Sequence, residues 1–279
     1  MKLTCVVVPI YKVFSCLNED EILSLNQLFK ILGEHDIYLI CAHQFDPIEY
    51  LNRAREFNTF PKIKKLSDCF FFNIEGYNRL MRSTNFYKKF DTYSFLLIYQ
   101  LDAFVFRDDL NYWCKKGYDY IGAAWFEGWN EGNHTSKFIG IGNGGFSLRK
   151  IDSTIKLLTR GKRLSMIKSF WMKSNLNYLL PFTKLVSRYR MRFNLRNIEL
   201  IQNVFRTSDT NEDYYITQIL GNTFCDFIVA PYSEAIKFSF EVNPSLLYSM
   251  NQNKLPFGCH AWEKYEPEFW KKFINYPNN

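Results

Sequence analysis

Between Ser94 and Leu110 the chain reads SFLLIYQLDAFVFRDDL, and this stretch limits what the rest can become. Phe95, Leu96, Leu97, Ile98 and Tyr99 form an unbroken apolar run, as a strand buried on both faces requires. The run ends abruptly in Gln100-Leu101-Asp102, after which Ala103-Phe104-Val105-Phe106 is apolar again. A carboxylate set between two core-type segments is costly to bury without compensation. Asp102 is therefore expected at the carboxyl end of the strand, the side on which open α/β sheets bind their ligands. An acidic group there suits a hard divalent cation carrying phosphate oxygens. A strand-end Asp that caps the next turn is the competing reading.

Around this centre the pattern predicts alternating strands and helices. Leu3–Ile10 is apolar and β-branched and reads as a buried first strand. Asn18-Glu19-Asp20-Glu21 opens a helix to Gly33, with Ile22, Leu25, Leu28, Phe29 and Leu32 at spacings of three and four. Ile37–Ala42 is a second buried strand, completing a β-α-β unit. No glycine-rich phosphate loop follows the first strand, which argues against a dinucleotide-binding fold or a P-loop enzyme. A short polar helix is expected over Phe45–Phe57, a strand within Lys62–Phe72 and a helix over Gly76–Asn85. Tyr77, Asn78 and Arg79 open that last helix, either facing a ligand or serving as capping and surface residues.

Past the central stretch, Tyr120–Trp125 reads as one strand, in which Gly122 and small alanines permit close approach of a ligand or backbone. Phe138–Lys150, FIGIGNGGFSLRK, places Gly140, Gly142, Gly144 and Gly145 around Asn143. That composition allows positive φ and exposed amides, in a plain turn or in the wall of a sugar pocket. Asp209, Glu212 and Asp213 precede a helical pattern of Tyr215, Ile216, Ile219 and Leu220. Carboxylates in that position cap a helix, or hold a general base over a bound acceptor. Phe227–Ala230 reads as a strand, and Pro256–Tyr265 as a loop carrying His260, as a structural residue or a ligand.

At 279 residues the chain is expected to form a single domain with a substantial core. Aromatics reach 18%, a usage that favours packed strands and ring-lined pockets for sugars or bases. The formal charge of +7 points to an anionic partner, a nucleotide or a phospholipid surface. Nucleic acid is disfavoured, because no helix-turn-helix, RRM or zinc-finger pattern occurs. The 7 cysteines are widely spaced with no C-x-x-C pair, which fits a reducing compartment better than a disulfide framework or zinc site. With no signal-peptide pattern and no run of transmembrane length, a cytoplasmic location is expected. From Ser153 to Ile198 there is no acidic residue, while lysines and arginines recur among Met166, Phe170, Trp171 and other apolar residues. This basic, aromatic stretch is expected to be an insertion within the domain. It either lies on anionic membrane, placing the protein peripherally on the inner face, or covers an acceptor cleft as a solvated helix.

Taken together, the blocks GYNRLM, LIYQLDAFVF, GYDYIGAAWF, GNGGFSLRK, NEDYYIT and PFGCHAW resemble a bacterial family of glycosyltransferases long filed under a domain of unknown function. They span Gly76 to Trp262, and their order is that of GT-A-fold glycosyltransferases. The resemblance implies a GT-A-like, Rossmann-like α/β mixed sheet flanked by helices. It implies an enzyme that moves a sugar from a nucleotide-sugar to a hydroxyl of a surface glycan such as lipopolysaccharide or capsule. Gln100-Leu101-Asp102 stands where such enzymes carry Asp-x-Asp, so Asp102 is the expected metal ligand and one negative charge is missing. His260 matches the family's C-terminal His and would join Asp102 on Mn²⁺ or Mg²⁺. Tyr11, Asn78, Gln100 and Asp102 are the expected donor-nucleotide residues. Trp125, Asn143, Gly144 and Gly145 would shape the sugar and acceptor pocket. Glu212-Asp213 resembles the Glu-Asp motif of inverting members, with Asp213 as base. A retaining transferase, a catalytically silent glycan- or nucleotide-binding protein, and a basic membrane-associated scaffold are the competing readings.

Overall fold

The computed structural model describes residues 1–128, 132–173, 184, 195–196 and 210–274. The fold is α/β, a mixed sheet flanked by helices on both faces. Its strands are β1 (Lys2–Pro9), β2 (Asp36–Ala42), β3 (Lys62–Leu66), β4 (Tyr93–Tyr99), β9 (Phe146–Lys150) and β6 (Tyr120–Ile121), in the order β3-β2-β1-β4-β9-β6. β1 pairs in parallel with β2 and β4, and β2 with β3; β9 runs antiparallel between β4 and β6. β5 (Ala103–Val105), β10 (Ser239–Phe240) and β11 (Gly258–His260) form a smaller sheet, and β7 (Ala123–Phe126) pairs with β8 (Phe138–Gly142).

The period-two geometry of the strands divides the core in two. Val6, Val8, Leu97 and Tyr99 face one layer with Leu25, Leu28, Phe29 and Leu32 of α1 (Glu19–Leu32). Cys5, Val7, Leu96 and Ile98 face the other, with Leu80 and Met81 of α3 (Ile74–Met81) and Leu157, Leu158 and Leu164 of α6 (Ile151–Lys173). The start of α1 is set by a reciprocal cap. The Asn18 side chain accepts from the Glu21 amide at 2.8 Å, and the Glu21 carboxylate accepts from the Asn18 amide at 3.0 Å. Three more helices enter the description, α2 (Ile48–Glu56), α4 (Thr84–Lys88) and α5 (Leu110–Lys116).

Several expectations are corrected. The single strand over Tyr120–Trp125 is two, β6 and β7, which change sheets at Gly122; a Cβ there would stand 2.0 Å from the Gly142 carbonyl oxygen. The helix expected over Gly76–Asn85 breaks after Met81 and restarts as α4. Phe227–Ala230 contributes only an isolated bridge, Val229 to Tyr120. His260 ends a strand instead of standing in a loop, because β11 pairs antiparallel with β5. The first part of the basic stretch is α6, whose buried leucines make it a packed element of the fold; Met166 and Phe170 remain exposed on it. Most of 174–198 lies outside the described residues, as does Asp209. Among the described residues no helix is long and apolar enough to cross a membrane.

Candidate active site

The site is organised by the turn Asn143–Gly145 between β8 and β9, beside the end of β4. Asn143 is fully buried with φ 110°, a left-handed conformation that asparagine tolerates better than most side chains. Its Oδ1 accepts from the amides of Gly145 (3.1 Å) and Phe146 (2.9 Å), and its Nδ2 donates to Ser239 Oγ at 3.1 Å. None of Gly140, Gly142, Gly144 and Gly145 uses the positive φ their composition allows; Asn143 does. Gly144 and Gly145 are needed for close approach. A Cβ on Gly144 would lie 2.8 Å from Glu212 Oε1, and one on Gly145 would lie 2.0 Å from His260 Nε2.

Asp102 and His260 stand on one flank of this turn. The β5–β11 register sets His260 opposite Ala103, and the Ala261 amide donates to the Asp102 carbonyl at 2.9 Å. His260 Nε2 then lies 3.2 Å from Asp102 Oδ1, while Nδ1 lies 3.0 Å from Glu241 Oε1. Trp125 Nε1 donates to the second Glu241 oxygen at 3.2 Å. Burial by itself would lower the basicity of His260, but Asp102 and then Glu241 outweigh it and hold the imidazole well above its usual range. Burial would raise the Asp102 carboxyl, and the charge of His260 instead brings it below the usual Asp value. The Asp102 side chain remains 35% exposed and opens on a cavity of about 230 Å³. Tyr11, Lys12 and Glu263 also line that cavity. Burial pushes the Glu263 carboxyl up to about 7.

On the other flank a short helix, α7 (Glu212–Tyr214), begins a helical run that continues as a π-helix over Tyr215–Leu220. Glu212 is 2% exposed and forms a two-pronged ion pair with fully buried Arg149 of β9, at 2.8 and 2.9 Å. Arg149 also donates to Tyr87 and to Ser147. Burial alone would weaken the guanidinium's hold on its proton; Glu212 reverses this, so Arg149 stays charged. Asp213 has a different setting. Its Oδ2 accepts from the Asn143 amide at 2.9 Å and its Oδ1 from the Tyr214 amide at 2.8 Å. Burial first, and the charge of Glu241 second, raise its carboxyl above the ordinary Asp range. A buried carboxyl raised above its ordinary range holds a proton more tightly than a free Asp, the direction a general base requires.

Asp102 supplies a carboxylate oxygen to the cavity, while His260 Nε2 is buried behind it and could join Asp102 on Mn²⁺ or Mg²⁺ only after giving up its proton. Among the described residues no group of three His, Cys, Asp or Glu side chains could hold a metal ion. A cation seated here would complete its shell with ligand or water oxygens, as Mg²⁺ sites commonly do.

The profile of a family described as protein of unknown function (DUF5672) matches residues 61–260. The chain belongs to this family. The matched span of DUF5672 takes in Asp102, the Asn143–Gly145 turn, Glu212, Asp213 and Glu241, and it ends on His260. Tyr11 and Glu263 fall outside it. No curated protein matches the chain. Among solved structures, the glycosyltransferase GlyE of Streptococcus pneumoniae is similar at 12% identity and TM-score 0.46, over 99% of this chain and 62% of that one. S. aureus TarS 1-349 in complex with UDP-GlcNAc is similar at 14% identity and TM-score 0.34, over 55% of this chain and 46% of that one. The chain thus matches less than two thirds of either structure's length.

For this DUF5672 member the expected site residues fall into two groups. Asp102, His260, Asn143, Gly144, Gly145, Glu212 and Asp213 are brought together around one turn, and half-exposed Tyr11 lines the cavity beside Asp102. Trp125 is buried, donates to Glu241 and packs over Gly142. Asn78 Oδ1 accepts from the Glu212 amide at 3.1 Å, so it fixes the start of α7. The Gln100 amide donates to the Gly145 carbonyl at 2.8 Å, and its side chain turns to the Tyr77 hydroxyl. Glu241 and Arg149 were missed. Glu241 had one signal, a lone charge inside the apolar stretch FSFEV, while Arg149 is the first of two adjacent charges in FSLRK, the one that falls on the buried face of β9.

Proposed function

We propose that this chain is a GT-A-type glycosyltransferase that moves a sugar from a nucleotide-sugar to a hydroxyl of a surface-glycan acceptor, such as lipopolysaccharide or capsule, with inversion. One observation carries the reading: a buried carboxyl raised above the ordinary Asp range, Asp213, and the Asp102–His260 pair flank the same backbone turn. Single displacement at an anomeric carbon needs a base on one side and stabilisation of a departing diphosphate on the other. Asp213 takes the proton of the acceptor hydroxyl as that oxygen bonds to the anomeric carbon and the bond to the nucleoside diphosphate breaks. No covalent bond to the enzyme is formed.

The remaining residues position these groups. The Asn143 and Tyr214 amides fix the Asp213 carboxylate, and Glu241 fixes the His260 ring. Glu212, taken up by Arg149, anchors the start of α7. Asp102 would hold Mn²⁺ or Mg²⁺, joined by His260 once its imidazole gives up a proton, and the bound ion would supply Lewis-acid stabilisation of the diphosphate. Tyr11 would contact the nucleotide. Exposed Met166 and Phe170 beside Lys162, Arg163 and Lys168 on α6 would give peripheral contact with anionic lipid.

The test is a thermal-shift series with nucleotides and nucleotide-sugars, with and without Mn²⁺, on wild type and Asp102→Ala. A ligand that binds only the folded state raises the melting temperature by mass action. The expected result is a metal-dependent shift with one nucleotide that disappears in Asp102→Ala. Asp213→Asn is expected to keep that shift and to lose transfer by roughly 10²–10⁴-fold, the usual contribution of a general base. No shift with any nucleotide would remove the donor site, and turnover preserved in Asp213→Asn would remove the base. The anomeric configuration of the product, read by NMR, tests inversion directly.

A further inference from the structure

A larger cavity, of about 700 Å³, lies away from this site, and its volume is in the range that binds small ligands. Its wall includes Arg107, which follows β5. Five residues of nearly extended chain separate Arg107 from Asp102, about 16 Å at strand rise. The cavity is thus at the opposite end of the β5–β11 ladder from His260. Arg107 ties that end together by donating to the carbonyls of Leu255 (3.1 Å) and Pro256 (2.8 Å).

The lining has a definite chemistry. Tyr112 and Tyr232 are 50% and 45% exposed. The Tyr112 ring is fixed under Lys116 at 5.1 Å and the Tyr232 ring against Phe138 at 5.6 Å, so both are presented in set positions. Ser233, Asn251 and Gln252 add neutral hydrogen-bonding groups. Trp113 also lines the cavity; it is 2% exposed, and its indole N–H has no hydrogen-bond partner. A buried donor without an acceptor carries a penalty that a ligand oxygen would relieve. The charges are mostly used up: Arg107 pairs with Asp109, and Lys237 with Glu234. Lys254 makes no ion pair among the described residues.

We propose that this cavity is a second binding site, one that holds an acidic oligosaccharide, with sugar faces on Tyr112 and Tyr232 and one carboxylate or phosphate on Lys254. Rings plus neutral donors suit hydroxyl-rich, flat-faced ligands. A nucleotide diphosphate fits less well, since one unpaired cation does not match its charge. In the transfer reading, and resting on it, the site holds a distal part of the acceptor glycan, away from the reacting hydroxyl. The binding itself does not depend on catalysis.

The experiment is direct binding, by calorimetry or NMR line broadening, of oligosaccharides at millimolar concentration. The panel contains glucuronic- and galacturonic-acid oligomers, phosphate-bearing hexose oligomers, and neutral glucose and galactose oligomers. The expected result is binding of at least one acidic series, weakened at least tenfold in Tyr112→Ala/Tyr232→Ala and unchanged in Asp102→Ala. Lys254→Gln is expected to weaken the acidic series and leave neutral oligomers unaffected. Both tyrosines are half exposed, and thermal melts check that the double variant stays folded. No binding anywhere in the panel overturns the proposal, as does binding equal in wild type and the folded double variant. Loss of binding in Asp102→Ala with retention in the tyrosine variant assigns the glycan to the other cavity and also overturns it. Nucleotide shifts and turnover report on the transferase reading separately.

Discussion

On one flank of the Asn143–Gly145 turn Glu212 meets Arg149, and on the other Asp102 meets His260. Both are carboxylate–cation pairs between distant parts of the chain, and they are held in opposite ways. Glu212 and Arg149 are sealed from water, and both carboxylate oxygens are taken by one guanidinium. Asp102 is a third exposed and faces a cavity. The sealed pair has no capacity left for a ligand, so its role is to hold β9 to α7. The open pair keeps oxygen lone pairs available. Asp213, adjacent to Glu212 in sequence, is held by two backbone amides and no cation, which leaves it free to exchange a proton. The lesson is that carboxylate identity says less about chemistry than what already occupies the oxygens.

The contrast can be broken most forcefully at Arg149. Replacing it with Met leaves the Glu212 charge buried and unpaired, and removal of one partner of such a pair typically costs about 3–5 kcal/mol. Urea unfolding should show a loss of that size, a large share of the roughly 5–15 kcal/mol that stabilises a typical domain. A change below about 1 kcal/mol would mean that the pair is not sealed as described.

Gly145→Ala acts on the open flank. The added methyl would stand 2.0 Å from His260 Nε2 and must displace the ring from Asp102. The expected outcome is loss of the Mn²⁺-dependent nucleotide shift, with a smaller fall in melting temperature than Arg149→Met produces. Retention of the metal-dependent shift would separate His260 from the cation.

A finer test uses pH. Asp213 must be deprotonated to act as base, and its carboxyl is raised, so transfer should rise with pH through a midpoint above the ordinary Asp value of about 4. The folded chain binds this proton more tightly than the unfolded chain. The stability contributed by protonated Asp213 therefore falls as pH rises from the ordinary Asp range through the raised value. Glu241→Gln removes the charge that helps raise Asp213, so the acid limb should move to lower pH, while the amide oxygen of the new side chain can still accept from His260. A limb that stays in place would show burial alone to be responsible.

Much of the frame was legible in local pattern. The Phe95–Tyr99 run, the helix after Asn18 and the β-branched first strand each encode their element within one segment, because burial on one or both faces imposes a period that residues display directly. Strand ends and breaks were less legible. The split of Tyr120–Trp125 depends on Gly122 lying against the Gly142 carbonyl, a contact between segments that no window contains. The same holds for His260, which sits on a strand only because β5 is there to pair with it.

The sequence by itself determined the order of the charged residues and that Asp102, Arg149 and Glu241 adjoin apolar residues, whereas Glu212 and Asp213 stand in the polar run SDTNED and are buried only by the fold. A charge among core residues must be compensated, so its presence marks a constraint in advance of any fold. Only the tertiary structure decided how each is compensated. Arg149 neutralises Glu212, backbone amides hold Asp213, and Glu241 and Asp102 bracket His260, all through partners many residues apart. Compensation depends on distance in space, and the chain specifies that distance only when its sheet and turns are closed together.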